Sequence, residues 1–154
     1  MSAYYLDASA LVKRYVNEPG SVWLRTLLVS PQADLLFASR MTIVEVISAF
    51  ARRVREGSLT TAEFAAVENA FRGDCLHDYQ IMPPTVEVID LTCSLLKRHH
   101  LRAYDATHLA SALSAQKFLT SDGLPLLVFL SADGRLTGAA RAEGLAVDNP
   151  NEHV

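Results

Sequence analysis

The sequence of 154 residues has few cysteines and no long apolar segment, which disulfide-rich and membrane-spanning proteins require. Two cysteines, Cys75 and Cys93, exclude a disulfide scaffold, and without a Cys-x-x-Cys pattern they are predicted to be buried free thiols, as in a reducing compartment. The most apolar stretch, residues 124–130, is too short to cross a bilayer. The first residues lack the basic and long apolar segments of a signal peptide, so we expect a cytoplasmic protein without membrane association.

An excess of positive charge is also missing. Lys and Arg number 14 against 17 Asp and Glu, and the formal net charge of −3 argues against a protein that simply coats nucleic acid. Hydrophobic residues make up 50% of the chain, which is enough to form a core at this length. We therefore predict a single domain over residues 1–150 and a flexible tail over residues 151–154.

Short apolar runs alternate with helical patterns along the chain. Strands are predicted at residues 3–7, 35–38, 79–82, 126–130 and 145–147, and helices at 10–16, 21–29 with an end near Pro31, 40–56, 60–73, 85–96, 104–113 and 133–143. Ser9 is the predicted cap of the first helix. Because the strands are mostly apolar on both faces, the pattern predicts an α/β fold, a three-layer α/β/α sandwich around a mostly parallel sheet.

Several acidic residues lie either within apolar segments, where a carboxylate is unusual, or at strand ends, where it could bind a ligand. Asp7 ends the first predicted strand and Asp133 follows the fourth, so the two could meet at the carboxyl edge of the sheet, where α/β proteins bind ligands. Either could instead be an ordinary helix cap. Glu45 interrupts an apolar run, and Asp105 opens a nearly uncharged helix, where it could also be a first-turn acid paired with Arg102.

A cluster of ionised carboxylates needs a compensating partner. Two such charges at 4 Å repel by about 4 kcal/mol at an effective dielectric constant of 20. The cluster persists by binding protons or a cation, and oxygen ligands without cysteine or imidazole favour Mg²⁺ or Mn²⁺. An ion of this kind polarises a phosphate and activates water.

Four segments of the chain together resemble a known family. They are residues 5–13 (YLDASALVK), 39–45 (SRMTIVE), 102–110 (RAYDATHLA) and 129–133 (FLSAD). Their order and spacing resemble the PIN-domain family, specifically the VapC-type toxin ribonucleases of type II toxin–antitoxin systems. The resemblance implies a PIN-like fold over nearly the whole chain.

The resemblance also implies a set of site residues. Asp7, Glu45, Asp105 and Asp133 would be the catalytic acids around one or two Mg²⁺ or Mn²⁺ ions, with Asp7 and Asp105 as the most direct ligands. Further out, Ser9 and Ser131 would hold those carboxylates or a water, and Arg102 would pair with an acid or contact phosphate. His108 could bind metal, but we interpret it as a core histidine.

The activity implied is Mg²⁺-dependent endonucleolytic hydrolysis of RNA, and the implied partners are an RNA substrate, a cognate antitoxin and a second copy of the chain. Tyr15 and Trp23 could anchor the antitoxin, although a core position is favoured for both. Two alternatives stay open: a PIN-like RNA-binding protein without catalysis, and a Mg²⁺ phosphohydrolase acting on small phosphate esters. Arg52, Arg53 and Arg55 are interpreted as a solvated helix end that could steer RNA.

Overall fold

The central sheet is parallel throughout. A computed structural model describes residues 1–29 and 33–153. Its strands are β1 (Ala3–Leu6), β2 (Leu35–Ser39), β3 (Tyr79–Met82), β4 (Leu127–Leu130) and β5 (Ala146–Asp148). They pair in the order β3-β2-β1-β4-β5, with every neighbouring pair parallel. The predicted α/β sheet is therefore confirmed.

Helices cover both faces of this sheet. They are α1 (Ala8–Tyr15), α2 (Ser21–Leu27), α3 (Arg40–Arg55), α4 (Thr61–His77), α5 (Val86–Arg98), α6 (Ala103–Ser121) and α7 (Gly134–Ala142). Successive side chains of β1 enter different cores: Tyr5 packs with α5, α6 and α7, whereas Leu6 packs with α1 to α4. This alternation is what a strand buried on both faces produces. The three-layer α/β/α sandwich is confirmed.

Two helices are longer than their sequence patterns predict. Helix α4 passes through Gly73, its expected end, because Phe71 is fully buried and Asp74 accepts a hydrogen bond from the Tyr15 hydroxyl at 2.6 Å. Helix α6 runs on to Ser121 because Ala115 and Leu119 continue its buried face. Tertiary packing prolongs both helices beyond their local signals.

The first helix is capped differently from the prediction. Asp7, not Ser9, is the N-cap of α1, and its carboxylate accepts from the backbone N–H of Ala10 at 2.9 Å. Ser9 lies inside the first turn, which frees its hydroxyl for other contacts. The reason is that β1 ends one residue earlier than expected, at Leu6.

The C-terminal segment packs against the start of α2. Pro150–Glu152 forms a 3₁₀ turn with Pro150 buried, and the ring of His153 stacks on Trp23 with centroids 3.9 Å apart. Gly20 has a φ of +82°, and a Cβ there would lie 2.0 Å from the carbonyl oxygen of Pro150. Flexibility of residues 151–154 stays a prediction, and Val154, like the predicted helix end near Pro31, lies outside the described residues.

The cysteines are free, but their predicted burial is wrong. Cys75 is half-buried and Cys93 is exposed on the outer face of α5, where its neighbour Thr92 takes the inward position. None of the helices in the described ranges combines the length and the apolar character needed to span a membrane.

Candidate active site

The acidic residues gather where the strand order reverses. From β1 the chain builds β2 and β3 on one side and then returns to place β4 on the other. The carboxyl ends of β1 and β4 therefore flank a crevice of the kind that binds ligands in open parallel sheets. Asp7 directly follows β1, and Asp133 lies just beyond β4, so both stand at this edge.

Asp7 is held by short hydrogen bonds. Its side chain is buried, with 4% of the residue exposed. The hydroxyl of Ser9 donates to Oδ1 at 2.8 Å, and that of Ser131 donates to Oδ2 at 2.6 Å. With the Ala10 N–H, three donors therefore fix both oxygens of the carboxylate.

The same two serines join the ends of β1 and β4. The Ser9 hydroxyl accepts from the backbone N–H of Ala132 at 2.9 Å, and the Ser131 hydroxyl accepts from that of Asp133 at 3.1 Å. Asp133 caps α7 by accepting from the N–H groups of Arg135 and Leu136. The Asp7 carboxylate is therefore anchored by a backbone N–H and two serine hydroxyls, and the Asp133 carboxylate by two backbone N–H groups.

Glu45, from α3, meets a histidine from α6. Its Oε1 lies 2.7 Å from Nε2 of His108, whose Nδ1 lies 2.9 Å from the hydroxyl of Tyr5. Because an ionised carboxylate only accepts, Nε2 carries the proton of this contact. His108 is 2% exposed, so it is a buried histidine as expected, but its contact with Glu45 was missed. Its position three residues after Asp105, on the same face of α6, was the available signal.

Asp105 lies in the first turn of α6 and is half-buried. Within the ranges described, its carboxylate accepts no side-chain hydrogen bond, and Arg102 has no carboxylate within 4.0 Å. The pairing of Arg102 with Asp105 that we considered is therefore not formed. Arg102 is exposed at the start of α6, so it is available to another anion.

The pKa values show that these groups act on one another. Burial raises the pKa of Asp7, while His108 and the serine hydroxyls oppose the shift. Burial and the nearby charge of Asp133 raise the pKa of Asp105, and Asp7 and Glu45 add to it. Burial alone would lower the pKa of His108, but the hydrogen bond that it donates to Glu45 and the charges of the surrounding acids raise it. The crevice is thus strongly negative and stabilises a positive charge.

The donor set fits a hydrated divalent cation. Across residues 1–29 and 33–153, no three acidic, histidine or cysteine side chains stand together as ligands of one ion. Asp7 turns its oxygens toward the serines and Glu45 turns toward His108, so both of these carboxylates have a protein partner. Mg²⁺ keeps several waters and is held directly by one or two carboxylates, so acids spread around a crevice suit it. The oxygen-only ligands also favour Mg²⁺ or Mn²⁺ over Zn²⁺.

Comparison with known proteins gives the family. The model of the family described as "PIN domain" matches residues 4–123, which include Asp7, Glu45 and Asp105. The chain belongs to the PIN domain family. Its curated relatives include "Ribonuclease VapC45" of Mycobacterium tuberculosis (strain CDC 1551 / Oshkosh), 33% identical over 96% of this chain and 95% of that protein. The resemblance stated from the four sequence segments is confirmed.

Solved structures show the same PIN-like fold. The toxin VapC20 of Mycobacterium tuberculosis, whose structure is described as that of a sarcin-ricin loop cleaving toxin, has a TM-score of 0.63 at 17% identity, covering 94% of this chain and 97% of that one. DNA-bound VapBC from Salmonella typhimurium has a TM-score of 0.61, also at 17% identity, with 97% and 99% covered. At these identities the likeness concerns the fold alone.

Proposed function

We propose that this PIN domain is a metal-dependent endoribonuclease and the toxin of a toxin–antitoxin pair. The observation that carries the proposal is that Asp7, Glu45, Asp105 and Asp133, from four separate segments, lie near enough to one another for the other three charges all to raise the pKa of Asp105, with Asp7 and Asp133 at the ends of β1 and β4. A relative at 33% identity along nearly the whole chain is named a ribonuclease, which supports RNA as the substrate.

The chain's own residues would prepare the site for phosphodiester hydrolysis. Mg²⁺ or Mn²⁺, when bound, would supply the positive charge that neutralises the phosphate and lowers the pKa of a water. Asp7 and Asp105 would be its most direct holders, with Glu45 and Asp133 completing the site. Ser9 and Ser131 keep Asp7 in one orientation, and His108 keeps Glu45 facing the crevice. No protein nucleophile is required.

The partners follow from the same family. Solved complexes of VapB with VapC support an antitoxin for this chain, and a homodimer is proposed with it. Of the two candidate anchors, Tyr15 donates to Asp74 and makes edge contacts with Phe50 and Phe71, which fits a core position better. Trp23 is half-buried under His153. Neither aromatic side chain is therefore free in this arrangement.

The substitution Asp7→Asn tests the proposal. It keeps the shape of the side chain and removes the charge, so cleavage of RNA in Mg²⁺ should fall by about 10²- to 10³-fold, as when a transition-state electrostatic group is lost. Asp90→Asn, on an exposed position of α5, should cleave like the parent. Circular dichroism checks that both variants are folded. Equal rates for the parent and Asp7→Asn would exclude this site.

The same samples address the two alternatives. A parent protein that binds RNA but never cleaves it in Mg²⁺ or Mn²⁺ would be a non-catalytic RNA-binding protein. Hydrolysis of p-nitrophenyl phosphate, abolished by Asp7→Asn, without RNA cleavage would indicate a small-ester phosphohydrolase. Ser9 opposes that second alternative, because such enzymes often carry a second aspartate two residues after the first.

A further inference from the structure

A basic groove leads away from the acidic crevice. A cavity of about 670 Å³ opens between α1 and α3 and reaches the start of α6. Ser9 and Glu45 line its acidic end. Its cationic side chains are Lys13, Arg52, Arg53, Arg55 and Arg102, against only two carboxylates, Glu18 and Glu45. This concentration of positive charge is unexpected in a chain whose net charge is −3.

One face of α3 forms a wall of this groove. Glu45, Ser48, Arg52 and Arg55 recur at intervals of three and four residues, which places them along one side of the helix. The rise of an α-helix puts Arg52 about 10 Å and Arg55 about 15 Å along the axis from Glu45. Because the side chains of Ser48 and Ala49 are small, they leave the groove open between Glu45 and the two arginines of this face.

The cations of the groove are not equally available. Glu18 accepts from Lys13 at 2.9 Å and from Arg53, and these bonds lower its pKa although burial alone would raise it. Lys13 and Arg53 are therefore already paired. Arg52 is exposed and only 3.8 Å from the equally exposed Glu56, a weak contact in water. Arg55, among the residues described, has no carboxylate within 4.0 Å.

An exposed aromatic ring stands at the acidic end. Tyr104 lines the groove beside Arg102 and is 51% exposed, and it directly precedes Asp105. Aromatic rings in basic grooves stack on unpaired bases of any sequence, whereas the bases of an A-form duplex are stacked on one another and unavailable. The ring therefore favours a single strand over a duplex.

Resting on the proposed ribonuclease function, we infer that the groove holds the single-stranded RNA substrate on one side of the scissile bond. Arg52 and Arg55 contact its backbone phosphates, Arg102 contacts a phosphate near the acids, and Tyr104 stacks on a base next to the cleaved bond. The strand thus runs along α3 from the acidic crevice toward the end of that helix, and a duplex is bound less tightly.

The test is RNA binding by fluorescence anisotropy in the Asp7→Asn background, where the labelled strand stays intact. The probe is a short fluorescein-labelled single-stranded oligoribonucleotide in Mg²⁺, titrated at several salt concentrations, beside a duplex of the same sequence. Arg52→Ala/Arg55→Ala should bind about tenfold more weakly, with a salt slope shallower by about 1.4, the value for two lost phosphate contacts on a single strand. The matched control Lys117→Ala/Arg141→Ala removes the same charge from exposed positions outside the groove and should keep more of the affinity.

Tyr104 provides the second measurement. Tyr104→Ala should lower the affinity for the single strand about five- to tenfold, and Tyr104→Trp should retain it, because stacking needs only an aromatic face. Neither change should affect the weaker binding of the duplex. Thermal unfolding of each variant shows that the fold is intact.

Three results would overturn the inference. Undiminished RNA binding by Arg52→Ala/Arg55→Ala would assign the groove to another occupant, such as an acidic protein segment. An equal loss in the control pair would mean that net charge alone binds the RNA. A duplex bound as tightly as the strand, or a Tyr104→Ala variant that binds the strand like the parent, would contradict the stacking on Tyr104 and the preference for a single strand. Each of these is distinct from failure of the ribonuclease proposal, which concerns cleavage by the parent and its loss in Asp7→Asn.

Discussion

The two sides of the acidic crevice hold their carboxylates in different ways. On the strand side, Asp7 follows β1 and accepts from two serine hydroxyls and a backbone N–H, and Asp133 follows β4 and accepts from two backbone N–H groups. On the helix side, Glu45 has a single partner, His108, and Asp105 has no side-chain partner among residues 1–29 and 33–153. We infer that the backbone fixes Asp7 and Asp133 in position, whereas Glu45 and Asp105 can adjust to a ligand.

Removing a strand-side support should have the largest effect. Ser131→Ala deletes the 2.6 Å bond to Asp7 and leaves a buried carboxylate oxygen without its closest donor. We expect RNA cleavage to fall by about 10- to 100-fold, as for supporting partners of metal ligands, and Mn²⁺ binding measured by calorimetry to weaken with it. Ser114→Ala, on α6 away from the crevice, is the control. Unchanged cleavage by Ser131→Ala would show that Ser9 and the Ala10 N–H are enough to position Asp7.

Removing the helix-side support should have a smaller effect. His108→Ala frees Glu45, which is already 24% exposed at its side chain, so the carboxylate can still reach an ion. The Mg²⁺ concentration for half-maximal cleavage should rise up to about tenfold, with less change at saturating metal. His108→Gln, which keeps a donor, should restore most of the affinity. If cleavage at saturating metal falls instead, His108 acts in the reaction itself and not on the position of Glu45.

The smallest effect should be that of Asp105→Asn on the thermal stability of the metal-free protein. The pKa of Asp105 is raised in the folded protein, so the protonated carboxyl group favours the folded state. This stabilisation is complete at pH values below the ordinary carboxyl range, and it is lost as the pH rises through the raised pKa. Asp105→Asn should therefore raise Tm in EDTA at neutral pH, by no more than the roughly 2–4 °C that about 1 kcal/mol produces at this size.

Calorimetric scans against pH check this sign. The advantage of Asp105→Asn over the parent should disappear in acid, where both side chains are neutral. Excess Mg²⁺ at neutral pH should reduce or reverse this difference in Tm, because binding of the ion to the folded parent stabilises the parent. Asp90→Asn should show neither change. A parent that is more stable than Asp105→Asn in EDTA at neutral pH would contradict the repulsion between the acids.

The sequence was most informative on the strand side. Strands that are apolar on both faces predict a parallel sheet, and a parallel sheet brings Asp7 and Asp133 to one edge whatever the helices do. The expectation that either could be a helix cap was also correct, since both residues cap helices. In this fold a cap position and a candidate metal ligand are the same carboxylate.

The helix side depended on where two helices from opposite faces of the sheet reach its edge. Glu45 and His108 are 63 residues apart, and they meet because α3 and α6 approach the same edge of the sheet from its two faces, which no local pattern encodes. For the same reason the sequence predicts only a solvated helix end that could steer RNA for the arginines at the end of α3, and not a groove. Their spacing along one face of α3 was visible in the sequence, but the groove beside that face is formed by α1 and the start of α6.

The strand order has a consequence for the order of synthesis. β1, β2 and β3 leave the ribosome first and can pair with one another, but β4 is the neighbour that closes the crevice, and Ser131 bonds to Asp7 across 124 positions of the chain. Chains are made from the N-terminus, so a nascent chain lacks Asp133, and the serine that bonds to Asp7, until residues 131–133 have been translated. The candidate site is therefore incomplete while the first three strands are being made.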